Sequence, residues 1–199
     1  MVRKNIIIQD GSNVYFTSDT HFQHGNIIKF CNRPYSNVEE MNNAIIENWN
    51  SVVGPNDIVF HLGDFAWSGS WHKWLDKLNG KIYLILGNHD IVDFKNSYQE
   101  KFEGFSQQIC INIEGQQVLL NHFPILCYPD KCWQLFGHCH TVKSNNTGSD
   151  FNKLSNLSPT QYEVGVDFND YRPISWKEIK EKIQFQVDNK VNMLYWVNS

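Results

Sequence analysis

Gly87-Asn88-His89-Asp90 follows the almost unbroken apolar run Ile82-Tyr83-Leu84-Ile85-Leu86. The run has the length and the β-branched and aromatic character of a buried strand. The glycine reads as the residue that lets the chain turn without a Cβ clash. The strand then delivers an amide, an imidazole and a carboxylate at one edge, which is where α/β proteins place their chemistry. The plainer reading is a polar turn that caps the next helix, because Asn and Asp are common in such turns. Partners elsewhere in the chain decide between the two.

Four other apolar runs end in the same way. Val14-Tyr15-Phe16 leads into Ser18-Asp19-Thr20-His21-Phe22-Gln23-His24-Gly25-Asn26, and Ile58-Val59-Phe60 into His61-Leu62-Gly63-Asp64. The run at 117–120 leads to Asn121-His122, and Trp133-Gln134-Leu135-Phe136 leads to Gly137-His138-Cys139-His140. Asp19 and His21 flank Thr20, so in extended backbone they point to one side. Of the eight histidines, all but His72 sit at or near a strand end.

The remaining elements complete an α/β pattern. Ile6-Ile7-Ile8 and Val14-Tyr15-Phe16 flank Asp10-Gly11-Ser12-Asn13, whose composition predicts a hairpin. Residues 38–49 read as a helix with Val38, Met41, Ile45 and Trp49 on its core face, and residues 70–79 as a second one, stopped by Gly80. Residues 105–113 and 117–120 read as two strands joined by Glu114-Gly115-Gln116. Residues 143–160, rich in Ser, Asn, Gly and Thr, predict a flexible surface loop and the only candidate cover for a site. Residues 162–167 return to strand. Ser175-Trp176-Lys177-Glu178 is a capping box for a last helix through about 186, and residues 193–197 suggest a closing strand. The whole, residues 1–199, is expected to form one domain.

Composition narrows the function classes. With 41% hydrophobic and 14% aromatic residues the chain can bury a sizeable core. A net charge of −4 offers no basic surplus for coating long nucleic acid, while a nucleotide held by metal stays open. Five cysteines, odd in number and without a Cys-x-x-Cys pair, support neither a disulfide framework nor a zinc ribbon and suggest a reducing, cytoplasmic setting. No stretch has the length of a membrane span, and no signal-peptide core follows the basic N-terminus.

Asp19, Asp64, Asn88 and the clustered histidines make a mixed nitrogen and oxygen donor set without an obligatory thiolate. That set suits a hydrolytic metal site rather than a structural zinc site. There are too many donors for one ion. Two ions about 3.5–4 Å apart, sharing a carboxylate, would use them all and form a clamp for phosphoryl chemistry. Two carboxylates and a carboxamide pull the preference toward manganese or iron, with zinc or nickel as further options.

Asp19-x-His21, Gly63-Asp64, Gly87-Asn88-His89-Asp90, His122 and Gly137-His138-x-His140, in this order, resemble the full motif series of calcineurin-like metallophosphoesterases. The stretch 18–27, the Arg33-Pro34 segment with Glu40-Met41 and Asn48-Trp49-Asn50, and Val164-Gly165-Val166-Asp167 with Arg172-Pro173 resemble a compact bacterial and phage subgroup. The resemblance implies a four-layer α-β-β-α sandwich of two mixed sheets flanked by helices. It implies two divalent metal ions: Asp19, His21 and His140 on one, Asn88, His122 and His138 on the other, and Asp64 bridging them. It also implies a metal-bridging hydroxide as nucleophile, a small phosphorylated substrate (a phosphate monoester or diester, with a small nucleotide among the candidates), His89 as proton donor to its leaving group, and Asp90 as the residue that orients His89. His24, Asn26 and Arg33 are expected near the mouth, in contact with phosphate; the plainer reading of Arg33 is a surface salt bridge. His61 is expected to support and Cys139 to pack. The alternatives on the same fold are a cyclic-nucleotide phosphodiesterase or nuclease, and a scaffold without catalysis.

Overall fold

In a computed structural model, residues 6–67, 71–93, 99–141 and 154–197 of the chain are described. Two mixed five-stranded sheets lie between flanking helices. The first has the order β1 (Ile6–Ile8), β6 (Gln108–Ile113), β7 (Gln116–Asn121), β8 (Trp133–Phe136), β9 (Gln161–Glu163). The second has the order β10 (Ile174–Ser175), β2 (Val14–Thr17), β3 (Ile58–His61), β4 (Lys81–Ile85), β5 (Gly104–Ser106). All pairings are parallel except β6 with β7 and β10 with β2.

The strand period explains the layers. In the second sheet Val14, Phe16, Phe60 and Ile85 face a core shared with the first sheet. Val59, Ile82 and Leu84 face the opposite side. There they meet α1 (Gly25–Phe30), α2 (Val38–Val52) and α3 (Trp71–Leu75) through Ile27, Met41, Ile45, Trp49, Trp71 and Trp74. The predicted core face of α2 is thus observed, with Asn37 capping the helix by accepting from Glu40 N. The predicted capping box opens α5 (Trp176–Asn189), whose Trp176, Ile179 and Ile183 join the shared core. Between them lies α4 (Asn88–Asp93).

Four expectations from the sequence are corrected. β1 and β2 do not form a hairpin; β1 pairs with β6 in one sheet and β2 with β3 in the other. The loop between them crosses the sandwich. It is pinned where Gly11 N donates to Glu114 Oε1 (3.0 Å), and a Cβ on Gly11 would strike the Trp176 ring. Residues 105–113 are not one strand. The chain changes sheets at Gln107, and the Ser106 hydroxyl donates to the Gln108 carbonyl (2.7 Å) across the break. Residues 193–197 form a 3-10 helix rather than a strand, with Met193 and Val197 turned into the core. Of the predicted surface loop, residues 143–153 lie outside the described residues. At its end Leu154 and Leu157 are buried in the shared core, whereas Ser155 and Asn156 between them are exposed.

The topology matters because it brings strand ends together. β2, β3 and β4 run parallel, as do β7 and β8, and the segments leaving their C-terminal ends carry residues 18–24, 62–67, 86–90, 122 and 137–140. No described helix is long and apolar enough to cross a membrane.

Candidate metal centre and active site

The donors reach one another through unusual backbone. Asp19, His21, Asp64, His138 and His140 all have positive φ, between 48° and 72°. Asp19 and His21 therefore converge through left-handed turns, not through the extended alternation expected from sequence. Outside glycine this region is costly, and here hydrogen bonds between the loops hold it. Asp19 N donates to Gly63 O (2.9 Å), His21 N to Asp64 O (3.0 Å) and Gly137 N to His122 O (2.9 Å).

Gly87 has a different job from the one expected. Its φ lies outside the left-handed region. A Cβ there would collide with the Asp64 carboxylate and come within 2.9 Å of His122. At Gly137 a Cβ would lie 2.5 Å from Asp19 Oδ2. Both glycines let backbone lie directly against the donor side chains.

Two trios of ligand atoms lie within 4.8 Å of one another: Asp19, His21 and His140, and Asp19, Asp64 and His122. Asp64 Oδ2 is the hub. It lies 3.6 Å from His21 Nε2, 3.5 Å from His122 Nε2 and 3.9 Å from His89 Nε2. His122 Nδ1–H donates to the Leu62 carbonyl (2.8 Å), which leaves Nε2 as a lone pair facing Asn88 Oδ1 at 3.1 Å. His138 is in neither trio, but its ring centroid lies 5.1 Å from that of His122. His140 Nδ1–H donates to Asp167 Oδ2 (2.8 Å), and its Nε2 faces Asp19 Oδ1 at 3.7 Å.

Whether this cluster suits cations can be judged from its own unmet needs. Asp19 Oδ1 and His21 Nε2 are buried without a hydrogen-bond partner, a costly state for polar atoms. The His122 lone pair, the Asn88 oxygen and Asp64 Oδ2 are three acceptors facing one another. Burial and the nearby Asp19 charge push Asp64 up to about 7. The cluster thus has a surplus of acceptors and negative charge, which divalent cations would relieve. A third trio, Cys31, His140 and Asp167, does not fit, because Arg33 already neutralises Asp167.

Two expected roles are corrected. Arg33 is not at the mouth. It is 4% exposed, and its Nε and Nη2 donate to the two Asp167 oxygens (2.8 Å each). It also donates to the carbonyls of Asp19 (2.7 Å) and Thr20 (3.1 Å). With its donors committed it has none to offer phosphate; it does form a salt bridge, but a fully buried one rather than the surface pair expected. Asp90 does not orient His89. Its carboxylate accepts from the backbone N–H groups of Asp64 (2.7 Å), Gly87 (2.9 Å) and Phe65 (3.0 Å), tying two strand-end loops together. Its buried position leaves it nothing else to touch.

The other residues fall as follows. His61 is fully buried between Thr20 Oγ1 (3.0 Å) and Gly63 N (3.2 Å), and burial lowers it to about 3. Cys139 packs against the shared core. His89, His24 and Asn26 line a cavity of about 370 Å³ together with His21, Asp64, Asn88, His138 and His140. Three residues with consequences here carry no sequence signal of their own: Asp167, which stands out only within its subgroup segment, and Trp67 and Phe30. Trp67 and Phe30 line the same cavity and are 40% and 75% exposed.

Asp167 joins the cation it must satisfy to the imidazole it must hold. Asp167→Asn removes the charge opposite a buried guanidinium, a loss of about 3–5 kcal/mol in stability. It also removes the anchor of His140, which lowers metal affinity by about 10–100-fold. Thermal melts and metal titrations read the two effects separately; an unchanged melting temperature contradicts the first.

The metal-free protein also has a pH signature. Burial, as the largest effect, raises Asp64 and Asp90 to about 7 and Glu163 to about 8. Burial would lower His140, but Asp19 and Asp167 outweigh it and raise His140 well above its ordinary value. Stability from such raised groups is complete below their unfolded pKa values and is lost as pH climbs through the folded ones. His21, His24 and His61, lowered by burial, act oppositely, but only below the ordinary imidazole value of 6.5. From 6.5 to about 8 the raised set dominates. The metal-free melting temperature should therefore fall across that window, and added divalent cation should raise it most at the upper end. A metal-free melting temperature that stays level or rises there contradicts this.

Comparison with known proteins agrees with the geometry. The two mixed sheets flanked by helices and the candidate metal-ligand clusters accord with a metallophosphoesterase fold, and the family model for calcineurin-like phosphoesterase matches residues 12–192. The chain belongs to the calcineurin-like phosphoesterase family. Family membership implies phosphoesterase activity as a general class, and members typically bind divalent metals. An uncharacterized protein of Methanocaldococcus jannaschii is 39% identical over 177 residues, 86% of this chain and 91% of that one. The Gene 66 protein of Mycobacterium phage L5 is 35% identical over 57% of this chain and 64% of its own length. A crystal structure of a protein of unknown function from Aquifex aeolicus superposes with a TM-score of 0.65 at 30% identity, over 84% of this chain and 97% of that one.

Proposed function

We propose that the chain hydrolyses a small phosphate ester, monoester or diester, with two divalent metal ions, manganese first among them. Asp19, His21 and His140 would hold one ion, and Asn88, His122 and the adjoining His138 the other, with Asp64 shared. The observation that carries this reading is the pair of buried, partnerless ligand atoms, Asp19 Oδ1 and His21 Nε2, beside the Asp64 hub. When bound, the ions would neutralise the phosphate and acidify a water for attack.

The chain's own residues divide the remaining work. The cavity is lined by imidazoles, two amides, one carboxylate and apolar groups, with no Lys or Arg among the described residues. Arg33 spends its charge on Asp167. A bound phosphate would therefore depend on cations for neutralisation, which favours a metal-dependent reaction over an arginine-clamped one. His89 lies on the rim, its side chain 39% exposed, with its backbone N–H donating to Asp64 Oδ1 (3.0 Å). That bond holds the His89 backbone beside the hub, and the exposed ring is open to the leaving group, to which it would donate a proton. His24 and Asn26 lie at the same mouth and are the candidates for substrate contact. A 370 Å³ cavity suits a small substrate. The deciding experiment is a manganese-supplemented screen of monoesters, diesters, cyclic nucleotides and single-stranded nucleic acid. Hydrolysis of a small ester that stops on chelation supports the reading. No hydrolysis of any ester by metal-loaded protein overturns it.

A further inference from the structure

We propose that the outer wall of this cavity is a stacking subsite for the planar base carried by the leaving nucleoside of a nucleoside phosphate, built on Trp67 with Phe30 beside it. The proposal rests on the phosphoesterase reading and names its substrate class.

Trp67 is held where it is by its backbone. It follows the Phe22–Ala66 bridge, and its N–H donates to the Phe22 carbonyl (2.8 Å). One face of the indole is backed by the His24 ring, nearly parallel at 11° with centroids 4.2 Å apart. His24 is itself buried and packed on His21. The indole nevertheless remains 40% exposed. Trp67 is at the same time one of the residues that line the cavity. Phe30, the last residue of α1, stands 75% exposed and lines the same cavity, edge-on to His24 at 6.4 Å. Ile27, buried, lines it as well. Two large aromatic rings kept in water at one rim, while the other tryptophans of this half (Trp49, Trp71, Trp74) are in the core, mark a binding surface.

Position selects the part of the substrate. Trp67 and His89 ring centroids are 5.2 Å apart, and His89 is the group that faces the leaving oxygen in the proposed reaction. The aromatic wall thus lies on the leaving-group side, and the donor cluster begins at His21, which packs on both His24 and His89. A rigid ring already backed by another ring loses little conformational freedom when a flat partner docks, and rewards π-faces of any base. Asn26 adds an amide on the same rim, able to donate to and accept from a base edge.

The test compares non-hydrolysable 5′-methylene phosphonates of adenosine and of ribose, which differ only in the base. Binding to manganese-loaded protein is measured by calorimetry. Wild type should bind the adenosine compound about 5- to 150-fold more tightly, the range that stacking on one aromatic side chain gives. Trp67→Ala should erase this preference while keeping the ribose affinity, and Trp67→Phe should restore most of it. Equal affinities in wild type, absence of binding by both, a preference that survives Trp67→Ala, or an equal weakening of both compounds by Trp67→Ala would each overturn the proposal. The phosphoesterase reading fails by a different result, the absence of ester hydrolysis, which leaves the binding ratio untouched.

Discussion

Asp64→Ala is expected to yield a folded protein that holds neither ion and hydrolyses no ester. Asp64 Oδ2 faces His21, His122 and His89 within 3.9 Å, so its loss removes the shared donor of both halves of the cluster. The drop in metal affinity should exceed the 10–100-fold typical of losing an outer partner. The fold should survive, because the loop is tied through the Asp64 backbone: its N–H donates to Asp90 Oδ2 and its carbonyl accepts from His21 N. Burial already raises the Asp64 carboxyl to about 7, so removing it should not lower the metal-free melting temperature at pH 8. One complication is conformational, since Asp64 has φ of 56°, where alanine is less at ease than aspartate. Asp64→Asn tolerates that conformation and keeps the size, and it should show the same metal loss. Elemental analysis after reconstitution, beside a melt, reads both. A variant with a full metal complement contradicts the role given to Asp64.

His89→Ala is expected to do the reverse, keeping its ions and losing turnover. His89 is at the rim and outside both ligand trios, and a positioned general acid typically contributes about 10²–10⁴-fold. The loss should depend on the leaving group. An ester that releases a stable phenolate needs little help from a proton, so it should lose less than one that releases an alkoxide. Undiminished turnover by metal-loaded His89→Ala on an alkyl ester would remove His89 from the reaction.

The five strand ends were legible because each is local: an apolar run, then Asp, Asn or His within a few residues. Their convergence is what parallel strands of two facing sheets produce. What escaped was set by distant partners. Asp10-Gly11-Ser12-Asn13 has hairpin chemistry, yet β1 finds β6 more than a hundred residues away. Ser106-Gln107-Gln108 interrupts the apolar run, but nothing local says that the chain changes sheets there. Asp90 sits next to His89 in sequence, but its carboxylate turns to three backbone amides that no pattern announces. Arg33 looked like a phosphate ligand because guanidinium suits phosphate; its partner, Asp167, lies 134 residues on. Trp67 carried the weakest signal, a tryptophan in a loop with no periodicity to assign it to core or surface. Its meaning comes from the His24 ring behind it and the cavity in front.

Anomalous scattering from crystals of the manganese-loaded protein tests the dinuclear centre most directly. The account predicts two peaks on either side of Asp64, one against Asp19, His21 and His140 and the other against Asn88, His122 and His138. No peak at the cluster, or a single ion held away from Asp64, would contradict it.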